Sequence, residues 1–182
     1  MGNALQFRNA TEDDCTELAL IRDIAGRRMP SYLWSQEVGQ GQSYFEYGRE
    51  KIRTDANNNA YFKNWLVAES QSKFVGAFFG FSVEDPYPEI DLDAVPVCFR
   101  PCIELERVAS GCWLLQAIAI LPQYRGKGLA RQLLDKAGSV AKDSGTNRIA
   151  LQVEEVNEIA FNTYQRNAVS YTHLTLPTTP YV

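Results

Sequence analysis

The sequence predicts a single domain of the α/β (α+β) class, in which helices flank a central sheet. Two apolar segments, 65–69 and 74–81, are separated by Ser70-Gln71-Ser72 and predict two strands joined by a tight turn. A third apolar segment, 114–121, leads into a stretch from about 128 to 142 whose apolar residues recur at helical spacing. The 182 residues, 45% of them hydrophobic, are enough for one full core.

The front half of the chain predicts a scaffold for this sheet. A first strand is predicted at 5–8, and Thr11 and Asp14 then open a helix in the manner of a capping box. A second helix is predicted over 41–54, although Gly48 lowers its intrinsic helix propensity. The two strands at 65–81 pair with the strand at 114–121 to complete the central sheet.

A long connection, 84–110, precedes the fourth strand. It contains seven acidic residues and two basic ones: Glu84, Asp85, Glu89, Asp91, Asp93, Glu104 and Glu106 against Arg100 and Arg107. Loops of this length often bind ligands, and an acidic loop attracts a cationic amine. A solvated and partly helical insertion would explain the same composition, so both interpretations stay open.

The turn after the fourth strand has the composition of an anion site. Glycines at 126 and 128 let the backbone approach a ligand closely, because no Cβ intervenes. Three cations flank them: Arg125, Lys127 and Arg131. The following helix adds unpaired N–H groups and partial positive charge, which favour a phosphate. A triphosphate loop is excluded because Leu129 follows Gly128, and a dinucleotide fingerprint would need a third glycine where the chain has Arg131.

What remains is the pattern Gln-x-x-Gly-x-Gly, formed by Gln123, Gly126 and Gly128. It resembles the acyl-coenzyme-A loop of the GNAT superfamily of N-acetyltransferases. A second segment, Asn-x-x-Ala-x-x-x-Tyr from Asn157 to Tyr164, follows a predicted strand at 148–153 and resembles the pattern after the fifth strand of that family. The resemblance covers 114–167 and implies a mixed, mostly antiparallel central sheet, with acetyl-CoA as the co-substrate.

The resemblance also implies a set of site residues. Backbone amides of the loop would hold the cofactor's pyrophosphate, and amides of the preceding strand would pair with the pantetheine chain. The implied cofactor-binding residues are Ile118, Ala119, Ile120, Gln123, Arg125, Gly126, Lys127, Gly128, Leu129, Ala130, Arg131 and Asn157. Asn157 also suits the N-cap of a short helix. Tyr164 is the implied acid that protonates the departing thiolate, while an ordinary packed tyrosine is the alternative.

The general base does not carry over from the family. Some members that acetylate protein amino termini have a glutamate in the fifth strand, where this chain has Gln152. An amide does not accept the amine proton at neutral pH. Glu104, Glu106 and a chain of waters stay open as substitutes, and each carboxylate could equally be a solvated surface group.

Two functions fit these observations. The first is an N-acetyltransferase that moves an acetyl group from acetyl-CoA to a primary amine of a small molecule or peptide, by direct attack in a ternary complex. The second is a non-catalytic acyl-CoA-binding sensor or scaffold module, which Gln152 and the unusual C-terminus favour.

Composition argues against several other classes. The net charge of −4 and the isoelectric point near 5.1 argue against a nucleic-acid partner. No apolar stretch is long enough to cross a membrane, and the first residues lack the regions of a signal peptide. Four irregularly spaced cysteines and a single histidine predict reduced thiols, a cytoplasmic location and no metal site.

The C-terminus departs from the family pattern, in which two further strands follow. Segment 168–182 contains one strand-like run, 169–176, and then Pro177 and Pro180, which discourage extension. We therefore predict a GNAT-like domain over 1–167, an incomplete or altered C-terminal strand pair, and a foreign or truncated tail at 168–182. The uncovered sheet edge would favour association, for example into a homodimer.

Overall fold

The computed structural model describes residues 4–154 and 156–166. In these ranges a five-stranded, mostly antiparallel sheet has the order β1-β2-β3-β4-β5 and is accompanied by six α-helices. The strands are β1 (Gln6–Asn9), β2 (Trp65–Ser70), β3 (Lys73–Ser82), β4 (Trp113–Ile120) and β5 (Ile149–Leu151). The helices are α1 (Cys15–Ala25), α2 (Met29–Glu37), α3 (Tyr44–Thr54), α4 (Arg100–Val108), α5 (Leu129–Asp143) and α6 (Glu158–Arg166).

This architecture confirms the predicted α/β class with its mixed sheet. The predicted strand at 169–176, the altered strand pair and the tail at 168–182 lie outside the described residues. The chain divides into two compact units, and the single domain over 1–167 stays a prediction. The first unit takes in the described residues of Met1–Gly80 and Gln116–Ala137, and the second those of Phe81–Leu115 and Gly138–Val182.

The first unit contains the antiparallel strands β1 and β2 and their hairpin to β3. β1 pairs with β2 from Gln6↔Glu69 to Asn9↔Leu66. The hairpin turns at Gln71 and Ser72, where φ is 51° and 57°. A two-residue β-hairpin turn favours positive φ at both central residues, because this matches the twist of the two strands. The turn lies where the sequence predicts it.

Helix α1 follows β1 through the predicted capping box. The backbone N–H of Thr11 donates to the Asp14 carboxylate at 2.8 Å, and the Asp14 N–H donates to the Thr11 carbonyl at 3.1 Å. Arg8 on β1 donates two further hydrogen bonds to the same carboxylate, at 2.7 and 2.8 Å. The start of α1 is therefore tied to the sheet.

Helix α3 begins later than predicted, at Tyr44, because Ser43 caps it by accepting from the Glu46 N–H at 3.3 Å. Gly48 lies in the middle of this helix, and a Cβ built there would be 2.3 Å from the ring of Trp34 on α2. The glycine lowers helix propensity but lets the Trp34 indole lie directly against the α3 backbone. The sequence does not predict helix α2 itself.

The core of the first unit also fixes the beginning of α5. Leu129 and Leu133 are buried in a cluster with Leu5, Ala68 and Val75. The amide of Leu5 donates to the Gln132 side chain at 2.9 Å, which adds a polar tie between the first strand region and this helix. The predicted helix from about 128 to 142 is confirmed within one residue at each end.

The second unit contains the parallel pair formed by β4 and β5, from Trp113↔Ile149 to Leu115↔Leu151. Strand β5 is shorter than the predicted 148–153 and ends at Leu151. The connection at 84–110 contains α4, so Glu104 and Glu106 are helical. Among the described residues, no helix has the length and apolar content needed to cross a bilayer.

Candidate active site

Strand β4 presents backbone groups near the glycine loop. The β4–β5 ladder ends at Leu115↔Leu151, so the amides of Ile118, Ala119 and Ile120 lie further along β4 than its last residue pair with β5. On β3, a Cβ at Gly76 would be 2.4 Å from the carbonyl oxygen of Ala119. Any side chain at position 76 would therefore displace the end of β4.

The loop that follows β4 depends on its two glycines for its backbone conformation. Gly126 has a φ of 75° and Gly128 a φ of 72°, and both values lie in the left-handed region that favours glycine. A Cβ at either position would meet no atom within 4 Å. The space before the loop is therefore open, and α5 begins at the next residue, Leu129.

The three predicted cations of the loop are exposed and have only weak internal partners. Nε of Arg125 donates to the Ile120 carbonyl at 3.1 Å. The ammonium of Lys127 lies 5.4 Å from the centroid of the Tyr124 ring. Nε of Arg131 is 3.8 Å from the Asp135 carboxylate. An exposed ion pair such as Arg131–Asp135 contributes about 0–1 kcal/mol, so an incoming phosphate would displace it at little cost.

The remaining loop residues support the backbone. Ile118 and Ile120 are half-buried against the cluster that contains Leu129 and Leu133, while Gln123 is exposed in a short 3-10 turn. Ala119 and Ala130 are half-buried. The residues predicted from Ile118 to Arg131 thus form one continuous strand–loop–helix segment of the first unit. An anion would meet there backbone N–H groups, a helix N-terminus and cations.

Asn157 and Tyr164 belong to the second unit, where Asn157 immediately precedes α6 and Tyr164 lies on it. The Asn157 side chain caps this helix by accepting from the Ala160 N–H at 3.3 Å, as its N-cap interpretation predicts. Tyr164 is half-buried, and burial raises the pKa of its hydroxyl above the ordinary value. The phenol is therefore protonated at neutral pH, which is the state of a proton donor.

The two predicted carboxylates on α4 have different surroundings. Glu104 is exposed, whereas Glu106 is only 8% exposed. The Tyr87 hydroxyl donates to the Glu106 carboxylate at 3.1 Å. Burial, followed by the negative charge of Glu106, raises the pKa of Tyr87 to about 12. Positions two apart on a helix point in different directions, which explains the contrast.

Gln152 has a structural contact at the position where some family members carry a glutamate. Its side-chain amide donates to the carbonyl oxygen of Cys102 on α4 at 2.9 Å. Cys102 is one helical turn before Glu106, so this bond fixes α4 close to the buried carboxylate. The sequence predicts neither this contact nor Tyr87, because both pairs are far apart in the chain and belong to no local pattern.

The described residues include no group of three or more histidine, cysteine, aspartate or glutamate side chains placed to hold a metal ion.

Comparison with known proteins agrees with this architecture. The chain belongs to the Acetyltransferase (GNAT) family, which residues 28–168 match. The family resemblance predicted from the two motifs is thus confirmed.

Solved structures of acetyltransferases have a similar fold. An N-acetyltransferase from Staphylococcus aureus Mu50 is 17% identical, with 94% of each chain covered and a TM-score of 0.59. An aminoglycoside N-acetyltransferase solved with CoA is 15% identical, with 100% of this chain and 98% of that chain covered and a TM-score of 0.60. A ribosomal-protein-alanine N-acetyltransferase from Brucella melitensis biovar Abortus 2308 is 16% identical over 97% and 99% of the two chains, with a TM-score of 0.56. At these identities the likeness concerns the fold.

Proposed function

We propose that the protein is an N-acetyltransferase that moves the acetyl group of acetyl-CoA to a primary amine. The observation that carries the proposal is the open loop with left-handed glycines at 126 and 128, placed before the N-terminus of α5. Backbone donors and exposed cations at such a place suit the diphosphate of coenzyme A. Family membership supports the same co-substrate.

The backbone of β4 is proposed to bind the pantetheine chain and the thioester. Ile118, Ala119 and Ile120 lie beyond the last pair of the β4–β5 ladder, and the amides among them that face away from β3 suit an extended ligand. One such N–H would polarise the thioester carbonyl where negative charge develops. Asn157 is proposed as a further contact, in addition to its role as a helix cap.

Tyr164 is proposed as the general acid. In a direct attack, the amine nitrogen bonds to the acetyl carbon and the carbon–sulfur bond breaks, so the leaving thiolate needs a proton. The raised pKa of the Tyr164 hydroxyl keeps this proton available at neutral pH. No covalent enzyme intermediate is needed, and positioning of the two substrates supplies much of the rate.

Glu106 is the general base that we favour over Glu104. It is buried and accepts a hydrogen bond from Tyr87, whereas Glu104 is exposed. A buried carboxylate in a polar contact has the kind of environment that tunes a catalytic base. The acceptor is proposed to be a small molecule or peptide that carries an amine, because the surrounding segment is acidic.

The alternative is a module that binds acyl-CoA as a sensor or scaffold without turnover. It is favoured by one observation: the Gln152 amide donates a hydrogen bond to the Cys102 carbonyl and supplies no base.

A cytoplasmic location is part of our proposal and is supported by four free cysteines, Cys15, Cys98, Cys102 and Cys112. The homodimer stays a prediction, which light scattering in solution tests.

A thiol-release assay with acetyl-CoA and a panel of amines separates the two functions. We expect turnover in the wild type and a loss of about 100-fold or more in kcat for Tyr164→Phe, with coenzyme A affinity kept, because only the acid is removed. Tyr44→Phe is the matched control, since Tyr44 is exposed on α3. Binding of coenzyme A without turnover on any amine would support the sensor, and unchanged kcat in Tyr164→Phe would remove this residue from the mechanism.

A further inference from the structure

A cavity in the second unit shares none of its lining residues with the proposed cofactor ligands. It has a volume of about 410 Å³ and is lined by Tyr87, Pro88, Glu89, Ile90 and Arg107. The pocket is open to solvent rather than enclosed, and its volume is near the lower end of the range of small-molecule sites. Three of the five lining side chains are aromatic or aliphatic, one is a carboxylate and one is a guanidinium.

Among the residues that the structure describes, neither charged lining residue has an ionic partner. Glu89 and Arg107 are exposed, and within 4–154 and 156–166 neither is in an ion pair. By contrast, Glu46, Glu50, Arg49 and Arg53 on α3 pair within their own helix. The cavity therefore presents one unpaired charge of each sign next to an apolar wall. A ligand with an ammonium, a carboxylate and an apolar body is complementary to it.

Tyr87 connects this cavity to the buried carboxylate of α4. Its ring packs against the core cluster of Val83, Ala109, Cys112 and Leu114, so its position is fixed. Its hydroxyl donates to Glu106 at 3.1 Å. The carboxylate is not part of the cavity lining, so a proton from a ligand in the cavity would reach Glu106 through the Tyr87 hydroxyl.

We propose that this cavity is the acceptor subsite and that the acceptor is an apolar amino acid, with its carboxylate at Arg107 and its amine between Glu89 and Tyr87. The inference rests on the proposed acetyl transfer and narrows its substrate class. A peptide amino terminus lacks the adjacent carboxylate, and a polyamine carries further positive charges toward Arg107. Both are therefore poorer ligands than a free amino acid.

The proton balance of the reaction is complete with these groups. The ammonium gives one proton to the Tyr87 oxygen as the Tyr87 proton moves to Glu106. The neutral nitrogen then bonds to the acetyl carbon, the carbon–sulfur electrons leave on sulfur, and the thiolate takes the Tyr164 proton. The second proton on nitrogen passes through water to restore Tyr164, and Glu106 returns its proton through the Tyr87 hydroxyl to solvent before the next cycle. The raised pKa of Tyr87 agrees with this role, because the phenol stays protonated between cycles.

Calorimetry on protein loaded with coenzyme A tests the subsite with L-phenylalanine and phenethylamine, which differ only in the carboxylate. We expect phenethylamine to bind at least about tenfold more weakly, as for a lost hydrogen bond to a charged group. Arg107→Gln should weaken L-phenylalanine to the level of phenethylamine. Arg148→Gln, an exposed arginine outside the cavity, is the matched control and should keep the difference.

Each other outcome decides between the two proposals. Equal binding of the two ligands, or no binding of L-phenylalanine, overturns the subsite, and acetylation of other amines would then leave the acetyltransferase intact. Protein that does not bind coenzyme A overturns both.

The proposed proton transfer through the Tyr87 hydroxyl has its own test. Tyr87→Phe should lower kcat about 100-fold while L-phenylalanine affinity is kept. Its kcat should rise with pH where the wild type is level, and a parallel pH profile would reduce Tyr87 to a packing residue.

Discussion

Asp14 is the residue whose ionisation is most directly linked to the fold of the first unit. Burial of its carboxylate by itself would raise the pKa, but hydrogen bonds from Arg8 and Thr11 outweigh burial, and the net pKa lies below the ordinary value. The hydrogen bond to Asp14, and after it the one to Glu69, raises the pKa of Arg8. Arg8 also donates to Glu69 at 2.8 Å, so one guanidinium joins the start of α1 to two strands.

Asp14→Asn should lower the free energy of unfolding by about 1 to 3 kcal/mol at neutral pH, because a charge-assisted contact is lost. A lowered pKa in the folded state stabilises above the pKa of the unfolded state, and this stabilisation disappears as the pH falls through the folded value. Urea unfolding at about pH 7 and about pH 3 measures the difference, which should shrink in acid. Asp13→Asn, an exposed neighbour, should be nearly neutral. A difference independent of pH would contradict the linkage.

At the level of the element, replacing each of two helix glycines with alanine should change the free energy of unfolding in opposite directions. A Cβ at Gly48 would be 2.3 Å from the Trp34 ring, whereas at Gly138 on α5 it would meet nothing within 4 Å. Alanine adds about 1 kcal/mol of helix propensity at both sites, but overpacking costs about 1 to 3 kcal/mol. Gly48→Ala should therefore destabilise and Gly138→Ala should stabilise, as measured by urea unfolding. The same sign for both would contradict the packing of α2 on α3.

The glycine loop makes a prediction about affinity. In Gly128→Ala the left-handed conformation costs about 1 to 2 kcal/mol, so the loop should change its conformation and direct its amides away from the proposed diphosphate site. Calorimetry should show coenzyme A binding at least about tenfold weaker. Gly145→Ala is matched to it, because Gly145 has a φ of 90° and equally open surroundings after α5. Gly145→Ala should lose similar stability but keep its affinity for coenzyme A. If both variants lost affinity equally, the loop would not be part of the cofactor site.

Elements with a local pattern could be predicted from the sequence, and elements that depend on distant contacts could not. The hairpin, α5 and the glycine loop follow from apolar spacing and from residues next to one another. Helix α2 has no such pattern, because its buried residues are Pro30, Ser31 and Trp34. Ser31 is buried since its hydroxyl and amide donate to Asp23 on α1. Similarly, the hydrogen bond that Glu106 accepts from Tyr87 joins residues that belong to no common local pattern.

For the whole molecule, coenzyme A should act as a stabilising ligand. At about 100 times its Kd it contributes about 2.7 kcal/mol, which corresponds to a rise in Tm of about 5 to 11 °C for a chain of this size. Differential scanning fluorimetry measures the rise. Tyr164→Phe should keep it, because the hydroxyl is proposed to act in the chemical step rather than in binding, whereas Gly128→Ala should need more ligand for the same rise. A Tm that does not respond to coenzyme A would contradict the proposed function.

The whole chain carries a net charge of −4, yet its cations at 125, 127 and 131 gather at one helix start. Net charge therefore says little about which anions the protein takes up. The binding of a small polyphosphate depends on the local field, while repulsion of nucleic acid depends on the whole surface.

The contact between Gln152 and Cys102 limits what substitution can achieve at this position. A glutamate there would resemble relatives that use a carboxylate in the fifth strand, but at neutral pH its two oxygens only accept hydrogen bonds. It would face the Cys102 carbonyl with no proton to share, and repulsion would loosen α4 one turn before Glu106. An exchange that imports a base would thus disturb the surroundings of Glu106, the proposed base, so the two proposed ways of accepting the amine proton are incompatible in this chain.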